Sequence, residues 1–190
     1  MRNTLITIAL VSLMLGLMAC EQKAPAEDPV ARGKYLVTIA SCHDCHSPKT
    51  FTPEGVPMPD MTRALSDHIA DSPYPTWTPA DLQRNAMFMG DPMMTTWAGP
   101  WGVSFAINIT PDVETGIGEW NEENFIQAMR TGKHQGQSNS REILPPMPWS
   151  SMKEMTDADV KAMWAYMGTV PPAKNQAPLP IPPSAPPQED

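Results

Sequence analysis

Two cysteines and a histidine lie together near the start of the chain. Residues 42–46 read CHDCH, and the spacing Cys-x-x-Cys-His is the attachment signature for a c-type haem. On one helical turn, two thiols this far apart can each add to one of the two vinyl groups of a haem. The adjacent imidazole then reaches the iron. The motif predicts one covalent haem c, bound through Cys42 and Cys45, with His46 as an axial iron ligand.

Three other kinds of site use cysteines at this spacing. A redox dithiol is typical of thioredoxin-like folds, which need alternating strands and helices that this sequence does not show. Zinc requires four ligands, whereas Cys42, Cys45 and His46 supply three, and His46 directly after Cys45 is an awkward arrangement. A structural disulfide between Cys42 and Cys45 is the third alternative. The haem interpretation is favoured because it agrees with an export signal and a mostly helical pattern.

The first 19 residues predict a signal peptide. Arg2 provides a positive charge, and Leu5 to Met18 form a mostly apolar run that is shorter than the roughly 20 residues of a membrane-spanning helix. The run ends in Leu-Met-Ala-Cys at residues 17–20, which resembles a bacterial lipoprotein cleavage box. This resemblance implies cleavage after Ala19 and a diacylglyceryl group on the Cys20 sulfur. A plain secretory signal with a chance cysteine is the alternative.

Lipidation would place the protein on a membrane surface. Two or more acyl chains anchor a protein stably, and the exported domain would lie in an oxidising compartment. We therefore expect localisation on the periplasmic side of a bacterium, anchored to the inner or the outer membrane.

Chain length and net charge limit the number of domains and the classes of ligand that the protein can bind. The chain has 190 residues, 41% of them hydrophobic, and a formal net charge of −8. This is enough for one domain with a buried core. Nucleic-acid binding is not expected, because phosphate contacts require a basic surface. The 23 prolines predict many extended loops.

Helical patterns and composition predict the organisation of the chain. Helices are expected over Pro29–Ser41, Pro79–Met89, Asn121–Thr131 and Thr156–Gly168, and a short extended piece within Trp101–Asp112. Asn121 and Thr156 are expected N-caps, and Gly132 can end its helix. The expected divisions are a signal peptide at 1–19, a lipidated tether at 20–28, a cytochrome-type domain at 29–172 and a proline-rich disordered tail at 173–190.

Several of these segments resemble class I c-type cytochromes. The stretch at 31–36 leading into CHDCH, and the stretch at 162–167 followed by Pro171-Pro172, are similar to the first and last helices of that family. Residues 108–125 resemble the monohaem domains of bacterial dehydrogenase cytochrome subunits. The resemblance implies an all-α fold in which the first and last helices cross, with Gly33 letting Tyr166 pack close. It does not explain residues 47–100, which are longer than the simplest members need.

The resemblance also implies where the second axial ligand lies. In the similar domains, a methionine in a proline-flanked loop before the last helix binds the iron, and Met147 in Leu-Pro-Pro-Met-Pro-Trp at 144–149 fits this pattern. Proline fixes φ and cannot continue a helix, so Met147 is expected on a stiff loop. The rival ligands are Met152, Met61, His134 and His68. Met152 is expected to pack in the core, and both histidines are expected to face solvent.

Two axial ligands would leave no open position on the iron for substrate or oxygen. The sequence therefore predicts an electron carrier that cycles between Fe(II) and Fe(III), with no catalytic residues of its own. Its expected partners are a dehydrogenase or a terminal oxidase, approached through a basic patch that complements the acidic surface. The alternatives are a haem subunit of a dehydrogenase or oxidase complex, and a haem-based redox or gas sensor.

Overall fold

The computed structural model describes residues 27–69, 72, 73, 75, 77 and 89–183. Its α-helices are α1 (Pro29–Ile39), α2 (Cys42–His46), α3 (Glu122–Thr131), α4 (Trp149–Met152) and α5 (Asp157–Met167), with 3-10 turns at Met61–Arg63 and His134–Gly136. In these ranges no helix combines the length and apolar character needed to cross a bilayer. The predicted signal peptide, Cys20 and residues 79–88 of the predicted second helix lie outside the described residues.

The longer helices begin and end where their capping residues predict. The Asn121 side chain accepts a hydrogen bond from the Asn124 N–H (2.8 Å), and the Asn124 side chain accepts one from the Asn121 N–H (3.1 Å). Gly132 closes α3 with a left-handed φ of 67°, which costs glycine little because it has no Cβ. Thr156 caps α5 by accepting from the Asp159 N–H at 3.1 Å. The predicted boundaries of α3 and α5 are thus confirmed.

Helices α1 and α5 cross at Gly33. A Cβ on Gly33 would overlap the carbonyl group of Ala162 and crowd the Cβ of Tyr166, so only glycine permits this approach. Arg32 on α1 adds an ion pair with Asp159 at the start of α5 (2.9 Å). The expected crossing of the first and last helices is therefore confirmed.

The expectation of an all-α fold is not confirmed. Within the described residues, β1 (Lys49–Phe51) and β2 (Pro57–Pro59) form an antiparallel hairpin, and β3 (Met89–Gly90), β4 (Thr96–Gly99) and β5 (Gly102–Phe105) form a second antiparallel sheet in that order. Trp97 lies opposite Ser104 in its register. Frequent prolines interrupt helices in this part of the chain, so its short segments satisfy their backbone groups by pairing. The extended piece predicted within Trp101–Asp112 is β5.

Residues 173–183, which we call the strap, pack against the domain. The N–H and C=O of Ile181 form reciprocal hydrogen bonds with those of Val103 on β5 (2.9 and 2.8 Å), and the Ala173 carbonyl accepts from the Asn108 side chain at 2.6 Å. This differs from the disordered tail predicted from residue 173 onward. Proline-rich composition favours an extended chain, but the edge of β5 and a buried amide supply partners for its backbone. Residues 184–190 lie outside the described part.

Candidate functional site

A large apolar cavity lies between the helices. It is bounded by the α1–α2 junction, by β5 and the segment after it, by α3 and α5, and by the loop before α4. It contains about 1130 Å³ of non-atom space, open mouth included. Its lining is mostly apolar, which is typical of sites that bind organic cofactors.

Both cysteines of the CHDCH motif line this cavity from α2. Cys42 and Cys45 are free thiols one helical turn apart, Cys42 buried and Cys45 partly buried. Burial raises the pKa of Cys42 to about 12 and also raises the pKa of Cys45. A redox dithiol operates with a lowered thiol pKa, so this environment argues against that alternative. The described residues contain no group of three or more His, Cys, Asp or Glu side chains that could hold a metal ion.

His46 lines the same cavity with one ring nitrogen already engaged. Its side chain is buried, and its Nδ1 lies 2.8 Å from the carbonyl oxygen of Ile107. A carbonyl oxygen only accepts, so Nδ1 carries the proton and Nε2 keeps its lone pair. Burial also lowers the pKa of His46, which favours the neutral ring. A neutral imidazole whose other nitrogen donates to the protein is the usual form of a histidine that ligates a metal.

Met147 reaches the cavity from the loop that precedes α4. This loop is held at several points: the Ser104 hydroxyl donates to the Pro145 carbonyl (2.5 Å), and the Ile143 N–H donates to the Gly132 carbonyl (2.8 Å). Met147 is partly buried and packs against the core. The four residues predicted to bind haem therefore line one cavity. Helix α2 contributes Cys42, Cys45 and His46, and this loop contributes Met147.

The alternative candidates for the second iron ligand differ in their exposure and in whether they line the cavity. Met61 is 58% exposed and does not line the cavity, whereas Met152 lines it and is buried in the core. His134 is half-buried and also lines the cavity. Its ring lies edge-on to the Trp120 ring, with the ring centroids 5.4 Å apart. His68 is 2% exposed, bonded to the Thr95 hydroxyl (2.8 Å) and outside the cavity. The prediction that His68 faces solvent was wrong, because the sheet β3–β5 covers it although its sequence neighbours are polar, whereas His134 keeps part of its surface exposed.

Two contributors to the site were missed by the sequence reasoning. Ile107 acts through its backbone carbonyl, 61 residues from His46, and a main-chain contact leaves no signal in side-chain patterns. Arg141 lines the cavity and donates to the Glu142 carbonyl (3.3 Å). The sequence signal that could have indicated Arg141 is its position six residues before Met147.

Several relatives of this chain are named as cytochrome subunits of bacterial dehydrogenases. No family model matches this chain. Over 166 residues this chain is 28% identical to the gluconate 2-dehydrogenase cytochrome c subunit of Pantoea cypripedii. The aligned part covers 87% of this chain and 28% of that protein. Over 90 residues this chain is 34% identical to the fructose dehydrogenase cytochrome subunit of Gluconobacter japonicus (44% and 18%). The chain is related to the cytochrome c subunits of bacterial dehydrogenases.

A further relative is one of the subunits of nicotinate dehydrogenase from Pseudomonas putida, 39% identical over 79 residues, or 42% of this chain and 6% of that protein. The chain thus spans less than a third of the length of each of these relatives. The relationship to cytochrome subunits supports the prediction that this chain is not itself an enzyme.

A cytochrome c relationship implies covalently bound haem c, and the cavity fits that group. Two thiols one turn apart can form the thioethers, and the free Nε2 of His46 can hold the iron. The Met147 thioether is available as a second ligand, and the apolar walls suit a porphyrin face. The residues present therefore match the implied cofactor.

Proposed function

We propose that the chain is a monohaem c-type cytochrome that transfers single electrons on the periplasmic side of a bacterial membrane. The supporting observation is the convergence of two thiols, a neutral imidazole and a thioether on one apolar cavity. Bound haem supplies a reversible one-electron change between Fe(II) and Fe(III).

The residues of the chain set the properties of that electron transfer. Cys42 and Cys45 keep the cofactor in place, and the Ile107 carbonyl fixes the tautomer and orientation of His46. Thioether ligation by Met147 favours Fe(II) and so raises the potential. His46 and Met147 would both hold the iron, which would leave it no position for a substrate. The hydrogen bonds at Pro145 and Ile143 would help to hold the Met147 loop in place when haem is bound.

A dehydrogenase is the electron donor that the relatives suggest. The similar proteins are named as cytochrome subunits of gluconate 2-dehydrogenase, fructose dehydrogenase and quinone alcohol dehydrogenase. These names also favour the second candidate, a haem subunit within such a complex. The net charge of −8 would direct this chain to a basic patch near the redox centre of the donor. A terminal oxidase is the acceptor class we expect.

The test of this function is an optical spectrum of the purified holoprotein, together with its behaviour towards ligands. An electron carrier should show a low-spin haem in both redox states, a weak far-red band in the ferric state and no rapid binding of CO. A high-spin haem that binds CO readily would contradict electron transfer and point to a sensor. Co-purification of a dehydrogenase from native membranes would distinguish the subunit from the free carrier.

Lipidation at Cys20 gives a prediction about location. Replacing Cys20 by serine should release the protein from membranes, because serine cannot accept the diacylglyceryl group and each lost methylene removes about 0.8 kcal/mol of membrane affinity. Fractionation of cells followed by haem staining measures this. The released variant should still carry haem, which serves as the internal control. Firm retention of the Cys20→Ser protein in washed membranes would refute lipid anchoring.

A further inference from the structure

The strap crosses the side of the domain that supports His46. The side-chain amide of Asn175 donates to the carbonyl oxygens of Ser66 and His68, each at 2.6 Å. The backbone N–H of Asn175 donates to the Thr115 hydroxyl at 2.9 Å. One residue of the strap therefore joins two segments that are about 40 residues apart in the chain, namely 65–68 and 107–115.

Both of these segments hold His46. The Asp67 N–H donates to the backbone carbonyl of His46 (2.9 Å), and the Ile107 carbonyl accepts from the His46 ring (2.8 Å). The two segments also bond to each other, since the Ile109 N–H donates to the Leu65 carbonyl (3.0 Å). The main chain and the ring of His46 are thus fixed by two segments that Asn175 clamps together.

The clamp acts on buried segments, although Asn175 itself is partly exposed. Ser66, Asp67 and His68 are at most 4% exposed, and Asn108, between Ile107 and Ile109, is 1% exposed. The Asn108 side chain donates to the Ala173 carbonyl (2.6 Å), a second contact of the strap with the same segment. Removing the Asn175 amide leaves two buried carbonyls without this donor, and a buried polar group that loses its partner is costly.

We propose that Asn175 is a positioning residue that sets the hydrogen bond between the His46 ring and the Ile107 carbonyl, and through it the donor strength of His46 towards the haem iron. A histidine whose Nδ1–H donates to a well-placed acceptor is a more basic ligand. A more basic ligand stabilises Fe(III). Loosening the clamp weakens that bond and shifts the equilibrium towards Fe(II), so the potential rises. This inference rests on the proposed function, because it requires bound haem.

The experiment compares Asn175→Ala with Gln176→Ala in the complete holoprotein. Gln176 is the matched control, because its side-chain amide donates to Ala177 within the strap (3.2 Å). Redox titration should show a higher midpoint potential for Asn175→Ala. The expected shift is up to a tenfold change in the Fe(II)/Fe(III) ratio at a fixed applied potential, which corresponds to about 59 mV for one electron. Gln176→Ala should titrate like the wild type. In the ferrous state, the NMR signal of the His46 Nδ1 proton should move upfield in Asn175→Ala alone.

A purely structural role would lower the melting temperature and leave the potential and the Nδ1 proton signal unchanged, and this result overturns the proposal. If Asn175→Ala does not retain haem, Asn175→Ser replaces it, since the hydroxyl keeps one donor. That variant should show a smaller shift in the same direction, and an unchanged potential would equally overturn the proposal. A wild-type protein without covalent haem would instead contradict the proposed function.

Discussion

Replacing Met147 by alanine should open the sixth position of the haem iron. The haem stays attached, because Cys42, Cys45 and His46 are untouched, but the ferric spectrum becomes high-spin or water-bound. Exogenous imidazole and CO should then bind readily. The potential should fall by on the order of 0.1 V, since loss of the thioether removes a preference for Fe(II) and axial ligands cover a range of about 0.8 V in proteins. Optical spectroscopy and redox titration measure both changes.

Two further substitutions make this result specific. Met147→His should remain low-spin but with a lower potential, because a nitrogen ligand stabilises Fe(III) better than a thioether does. Met61→Ala is the matched control, since Met61 is exposed and does not line the cavity, and it should leave the spectrum unchanged. An unaltered low-spin spectrum and potential in Met147→Ala would place the ligand elsewhere. Met152, which lines the cavity, would then be tested next.

Replacing both Cys42 and Cys45 by alanine should abolish covalent haem completely. Neither alanine can form a thioether, so acidic denaturing extraction should remove all pigment from the polypeptide, and haem staining after denaturing electrophoresis should be blank. Each single variant should keep one thioether and part of the stain. The Cys20→Ser protein is the control for cysteine replacement, because Cys20 lies outside the motif. Acid-resistant pigment on the double variant would disprove attachment through this pair.

Local signals allowed the ends of α3 and α5 and the CHDCH turn to be predicted. The ends of α3 and α5 follow from Asn121, Gly132 and Thr156, whose side chains or backbone act within a few residues. The CHDCH spacing places two thiols and an imidazole on one turn without any long-range information. Such features depend on short-range geometry, which the sequence encodes directly.

Long-range contacts were not predictable in this way. The bond from His46 to the Ile107 carbonyl, and the burial of His68 beneath β3–β5, join residues far apart in the chain through main-chain atoms or small polar groups. The strap reads as a disordered tail by composition, and it is ordered because Val103 and Asn108 offer hydrogen-bonding groups to its backbone. The sheets arise in a proline-rich stretch in which neither helical nor alternating periodicity is strong.

The burial of Cys42 has a consequence for the order of events during biosynthesis. In the closed domain this thiol has a pKa of about 12, so it is protonated, shielded from solvent and poorly suited to form a new bond. An unfolded chain exposes both thiols to solvent, so we expect haem to be attached before the domain closes around Cys42. Folding after attachment would then bury the new bond at this cysteine.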